Sequence, residues 1–442
     1  MGNESAFQLL NRMDHESEEE KDIDPFARQA YLEAQQALAD KETEKYINLL
    51  SQSANLGYVQ ALNDLGDLYF NGELAPKHMG KAYEYFLKAS QNGSGYGSYS
   101  CGFILMKGSA DIPRDIEKGL SMFRLAVDQN YKAATRDLAR YYYSLETEED
   151  NRKALDYYLQ YIEYNPKDTD TLLHIGLIYE SGLGVPLNID LARRYYERAA
   201  EQDETGMAYN FLGGTYMNDE ETENNERKAV HYFQKAIELG NTNAMFRISY
   251  YLHNGKGGLQ VDIPREIELL TEASKRGNHQ ATYRLGLLFE DNESGMAQNL
   301  ELSVKYFQLA ADNGILAAIN KMGELYLFGE VIPANLTKAI SCFTAASEQG
   351  YGKASYWLGR LHTDGIGQLE KDTQKAMNYY RKAIEQGYEE AREWMEQLQK
   401  NLVDETITDI EIPQDKSDEE LYKEAKNALE KAQFKTAYAY FS

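Results

Sequence analysis

Seven histidines, two cysteines, two glycine-rich stretches and one acidic run are the features of this 442-residue chain whose residue types could do chemistry. A zinc site needs three or four His, Cys or carboxylate ligands at short fixed spacings. His15, His78, His174, His231, His253, His279 and His362 show no such spacing, and no cysteine or carboxylate motif accompanies them. Cys101 and Cys342 are too few for a disulfide framework, and they read as small core residues in a reducing compartment. A phosphate-cradling loop joins a strand to a helix. The stretches at 93–97 (GSGYG) and 255–258 (GKGG) fall between helical patterns instead. The run Asp219–Glu226 lacks the central glycine of a calcium loop and reads as a solvated connection. No Ser–His–Asp order or reactive-cysteine context stands out. The expectation is a chain without catalytic residues, cofactor or metal.

One pattern recurs nine times along the chain: apolar, small, two variable positions, then usually an aromatic. Its apolar markers are Leu65, Cys101, Leu138, Ile175, Leu212, Ile248, Leu285, Met322 and Leu358, so neighbours differ by 36 or 37 residues. A fixed period of this length marks a solenoid, in which each unit buries its apolar face on the next. The small position is glycine in seven units, with Ala139 and Ser249 in the others. Glycine costs about 1 kcal/mol inside a helix, so its repeated use implies close helix–helix approach. A second helix carries small and large residues at i, i+3, i+4 and i+7, as in Ala192, Tyr195, Tyr196 and Ala199. Glycines 240, 277, 314, 350 and 387 stop it, while Asp190 and Asp262 stand where N-caps are expected.

The string LG-x-x-Y-x-x-G-x-G-V, followed by A-x-x-Y-Y-x-x-A-A, resembles the Sel1-like repeat, a longer relative of the tetratricopeptide repeat. The resemblance covers roughly residues 59–390. The glycine pairs Gly182 and Gly184, Gly255 and Gly257, and Gly365 and Gly367 separate it from a plain tetratricopeptide. Units 133–167 and 206–240 lack that loop and stand closer to tetratricopeptides. The expected fold is all-α: a right-handed α-solenoid (superhelix) of about ten helix pairs. Residues 1–23 are expected as a disordered acidic tail, 24–402 as the solenoid with atypical terminal units, and 403–417 as an acidic linker. Residues 418–442 are expected to begin a further tetratricopeptide-like hairpin.

A net charge of −25 disfavours duplex nucleic acid and anionic membrane, both of which need clustered cations, and would steer a basic partner. The first residues show no cationic start followed by an apolar run, and Ala6 stands where myristoylation needs Ser or Thr. The expected location is cytoplasmic. Positions two before and two after each apolar marker are expected to face a concave groove. Among them Asn63, Asn210 and Asn320 could hydrogen-bond an extended backbone, and Tyr99, Phe103, Phe246, Tyr250, Tyr283 and Tyr356 could anchor it. Arg136 and Arg140 form a cationic spot suited to a carboxylate, and Asp67, Glu324 and Arg360 complete the set. The resemblance implies adaptor work on a protein or peptide partner. Two alternatives remain: an exported effector binding a host protein, and a hydrolase like cysteine-rich Sel1-like proteins, which two cysteines cannot build.

Overall fold

The computed structural model describes residues 24–219, 222–291, 298–366 and 369–408. The tail expected over 1–23 and the hairpin expected over 418–442 lie outside the described residues. Among the described residues every regular element is an α-helix. The chain divides into two compact units, 1–215 and 216–442. The first holds α1 (Pro25–Ala39), α2 (Thr43–Asn55), α3 (Val59–Asn71), α4 (Met79–Gln91), α5 (Gly95–Lys107), α6 (Ile116–Asp128), α7 (Lys132–Tyr143), α8 (Glu148–Tyr164), α9 (Thr169–Ser181) and α10 (Ile189–Ala200). The division falls inside α11 (Met207–Met217). The second holds α12 (Glu223–Glu238), α13 (Thr242–Asn254), α14 (Ile263–Lys275), α15 (His279–Glu290), α16 (Leu300–Asp312), α17 (Leu316–Phe328), α18 (Leu336–Glu348), α19 (Gly352–Asp364), α20 (Thr373–Glu385) and α21 (Ala391–Thr408). Odd-numbered helices open each repeat and even-numbered ones close it. The last helix runs on through residues 403–408, so the linker expected from 403 begins as helix.

In six repeats the glycine of the first helix is the seat for a ring from that repeat's own second helix. A Cβ built on Gly66, Gly102 or Gly176 would lie closer than 3.0 Å to Phe86, Phe123 or Tyr196. In the second unit the same holds for Gly286 against Phe307, Gly323 against Phe343 and Gly359 against Tyr380, each at 2.6 Å. Phe86, Tyr196, Phe307, Phe343 and Tyr380 are fully buried or nearly so. Their neighbours in sequence stack outside this interlock. Tyr69 lies on Tyr85, Tyr142 on Tyr157 and Tyr179 on Tyr195, with ring centroids 5.8–6.0 Å apart and planes within 8°. Tyr216 on Tyr232, Phe289 on Tyr306 and His362 on Tyr379 repeat the arrangement. Such pairs contribute roughly 0.5–1.5 kcal/mol each beyond their buried area. His362 is thus a packing residue, and burial pushes its imidazole below the usual range.

One residue fastens both helices of a repeat at their loop. The Asn188 side chain accepts from Leu191 N–H at 2.9 Å, capping α10, while its own N–H donates to Tyr179 O at 2.9 Å. Asp115, Asp262, Asn299, Asn335 and Asp372 cap their helices in the same way. Each satisfies backbone groups that helix ends leave without intrahelical partners. Asp190, expected as a cap, is instead in the first turn of α10, because Asn188 already occupies the capping position. Gly182 closes α9 in the left-handed conformation at φ 66°, which a side chain would resist.

Adjacent repeats are joined by buried polar clamps. Ser98 Oγ lies 2.6 Å from Ser90 Oγ and donates to Gln129 Oε1, whose Nε2 donates back to Ser90 O at 3.0 Å. Ser347, Ser355 and Gln386 repeat the clamp in the second unit. Gly323→Leu is expected to destabilise the fold by roughly 1–3 kcal/mol through overpacking. Gly314 has open space around its Cβ direction, so Gly314→Leu is charged only for its positive φ. Urea unfolding should show Phe343→Ala partly relieving Gly323→Leu and giving no relief to Gly314→Leu. Additive losses in both pairs would show that the ring does not occupy the glycine seat.

Candidate functional site

Side chains at two positions from each marker were expected to share one open face. They do not. In the first unit Asn63 exchanges hydrogen bonds with Ser94 at 3.1 Å, and Asp67 accepts from Tyr96 Oη at 2.6 Å. Tyr99 donates to Asp137 at 2.6 Å and lies against Phe123 and Tyr131. Burial and the Asp137 carboxylate push its phenol well above the usual range. Phe103 is half-buried, with the Lys107 ammonium 4.4 Å from its ring centroid.

The expected cationic spot is already neutralised by the next repeat. Arg140 donates to Asp170 at 2.6 Å, and Arg136 lies 4.0 Å from Asp168 and over the Tyr161 ring. In the second unit Glu324 meets Lys353 at 2.7 Å, Trp357 Nε1 at 2.9 Å and Asn320 Nδ2 at 3.0 Å. Arg360 lies 3.8 Å from the Trp394 ring centroid and donates to Tyr356 Oη at 3.1 Å. Tyr283 is half-buried against Phe307, and burial moves its phenol up to about 12. Phe246 is half-buried, whereas Tyr250 is 41% exposed, with the Lys256 ammonium over its ring.

Three expected contact residues are buried: Asn210, Asn320 and Tyr356. Leu173, at the equivalent position, is buried too. The reason is geometric. A first helix is flanked by the first helices of both neighbours, and the position two before the marker points into that seam. Tyr99 reaches α7 in this way, and Tyr356 reaches Tyr388 and Trp394. From the third repeat on, the more open stripe instead follows positions −1, +2 and +5 from the marker, at the three-residue spacing of one helix face. It includes Asp137, Arg140, His174 and Leu177 in the first unit. In the second it includes Arg247, Tyr250, His253, Arg284, Leu287 and Lys321. Arg247, Arg284 and Lys321 were missed, although their steps of 37 make them visible in the sequence.

A depression of about 620 Å³ lies elsewhere, between α16 and the α17–α18 connection, lined by Val304, Leu309, Met322 and Ile332. Among the described residues no three His, Cys, Asp or Glu side chains are grouped to hold a metal ion, and no helix is long and apolar enough to cross a membrane.

Successive helix pairs of this kind define a helical repeat protein. The Sel1 repeat profile matches residues 59–94, 96–131, 132–160, 171–204, 206–241, 242–278, 279–315, 316–351 and 352–388, and the chain belongs to the Sel1 repeat family. The Sel1-repeat-containing protein YjcO of Escherichia coli K12 is 33% identical over 78 residues, which are 17% of this chain and 34% of that protein. The chain thus spans about a third of the length of the curated relatives it matches. A Sel1 repeat protein from Oxalobacter formigenes superposes with a TM-score of 0.50 at 22% identity, covering 56% of this chain and 98% of that one. The uropathogenic Escherichia coli antigen c5321 aligns over 89% of this chain and 90% of its own, with TM-score 0.46 and 20% identity. The fold is one typical of protein-interaction scaffolds.

Tyr356→Ala is expected to cost about 3–5 kcal/mol, as for a buried ring, and Tyr250→Ala no more than about 0.5 kcal/mol. Thermal melts of the two variants compare them directly. Similar losses would place the two tyrosines in equivalent surroundings.

Proposed function

We propose that this protein is a non-catalytic scaffold that holds a protein or peptide partner along the open stripe of its first helices. One observation carries the reading. In every repeat but the sixth the buried positions keep one chemistry, small against aromatic, while the more open ones do not. From the third repeat on, position −1 is Asp137, His174, Phe211, Arg247, Arg284, Lys321 and Trp357, and none of these is buried, whereas in the first two it is Asp64 and Ser100, which are. Folding asks nothing so varied of a surface, whereas reading a partner's side chains does. Tyr250 supplies an exposed aromatic of the kind enriched where binding energy concentrates. The charge of −25 favours a basic partner through long-range steering. The scaffold class of the family supports the same reading, and the partner itself is for experiment to name.

Capture from the native cell with the full chain as bait supplies that partner. The variant Tyr250→Ala should weaken its binding about tenfold or more while shifting thermal stability little. Unchanged binding would move recognition to the second helices or the connections.

A further inference from the structure

One ring of the eighth repeat has no counterpart in the others. Six residues after the marker, where a first helix ends, the chain has Phe328. The other eight repeats have asparagine, lysine, serine or aspartate there, as at Asn71, Ser181, Asn254 and Asp364. Phe328 leaves 56% of its surface in water, and a ring so open contributes little to folding. It meets Trp357 of the next repeat with 5.6 Å between centroids and 76° between planes. The indole is fixed from two other directions. Its Nε1 donates to Glu324 at 2.9 Å, and Phe343 stacks on it at 6.0 Å. Phe328 and Trp357 thus form an oriented aromatic shelf beside the open stripe, on a helix end that is otherwise polar.

Elsewhere the chain lays its own cations over the rings of its first helices. Lys77 lies over Phe70, Lys107 over Phe103 and Lys256 over Tyr250, and the Arg360 guanidinium is 3.8 Å from the Trp394 centroid. Among the described residues no cation covers Phe328. Those of its own and the following repeat are engaged: Lys321 meets Glu290 at 2.8 Å, Lys353 meets Glu324 at 2.7 Å, and Lys338 lies over Tyr326. Two residues beyond Phe328, Glu330 is exposed and has no ion pair among the described residues. An uncovered ring near an unpaired carboxylate attracts a cation, through the negative face of the ring and through simple charge.

We propose that this shelf takes an arginine side chain of the bound polypeptide, its guanidinium on the open Phe328 ring and Glu330 as its counter-charge. Arginine fits better than lysine because its planar head can lie on a ring while its edge still donates to a carboxylate. Trp357, held by Glu324, is the positioning residue for Phe328. The proposal rests on the scaffold reading and adds the chemistry of the partner.

Trp357 and Trp394 are the two tryptophans of the chain, so full-length protein carrying 5-fluorotryptophan gives one ¹⁹F resonance for each. Titration with Ac-Gly-Arg-Gly-amide at constant ionic strength tests the proposal. The Trp357 resonance, assigned by its loss in Trp357→Phe, should shift saturably, while that of Trp394, already covered by Arg360, does not. Phe328→Asn supplies the residue type of Asn71 and Asn254 and should weaken the response about fivefold. Phe328→Leu keeps apolar bulk without a ring and should weaken it equally, with melts confirming that both variants are folded. The uncharged citrulline peptide Ac-Gly-Cit-Gly-amide, of the same shape, should bind at least fivefold more weakly. The proposal is overturned by a non-saturating shift, by an equal shift at Trp394, by an unaltered response in either folded variant, or by an equal response to citrulline, which would mark an apolar docking site. A captured partner that binds Phe328→Asn undiminished would overturn the arginine shelf and leave the scaffold reading standing.

Discussion

The contact between a glycine on one helix and the ring of a buried aromatic on the next is the constraint on which the rest of this structure depends. With a Cβ at Gly286, Gly323 or Gly359, the facing ring would lose its seat and the two helices would have to separate. The missing side chain forfeits helix propensity, and the ring returns it as dispersion and buried area. Because that contact lies inside one repeat, each helix pair is set by its own residues. The serine–glutamine clamps then fasten one pair to the next with hydrogen bonds that satisfy the buried serine hydroxyls.

This division has a consequence for the surface. The interlock occupies the marker, the small position and the ring, while the inter-repeat seam takes the position two before the marker. What is left free on a first helix is a narrow stripe, and its residues can change chemistry without disturbing the glycine seat. Arg247, Arg284 and Lys321 follow one another on that stripe at steps of 37 residues. The sixth repeat shows how far departure can go. There the interlock is given up for Ser249 and Leu270, and the vacated volume holds Glu266 between His253 and Arg284.

Period, helix order and packing positions were legible in the sequence because they arise from contacts at fixed spacing within a repeat. Gly176 beside Tyr196 is such a case, and His362 at an aromatic position is another. The open face was harder to read, since it depends on how neighbouring first helices crowd each other, which no single repeat records. Asn210, Asn320 and Tyr356 were placed on the surface for that reason and are buried. Asn188 hid as a cap behind Asp190, two acceptable capping residues standing two positions apart. Glu266 could have been found by aligning the repeats on their second helices, where a carboxylate in a column of alanine, glycine and serine is plain.

Hydrogen–deuterium exchange of the full chain, alone and with its captured partner, tests most directly whether folding and recognition are divided in this way. Binding on the open stripe predicts slowed exchange in first helices such as Thr242–Asn254 and His279–Glu290, with Ile263–Lys275 and Leu300–Asp312 unchanged. Slowing confined to the second helices or to the connections would contradict it.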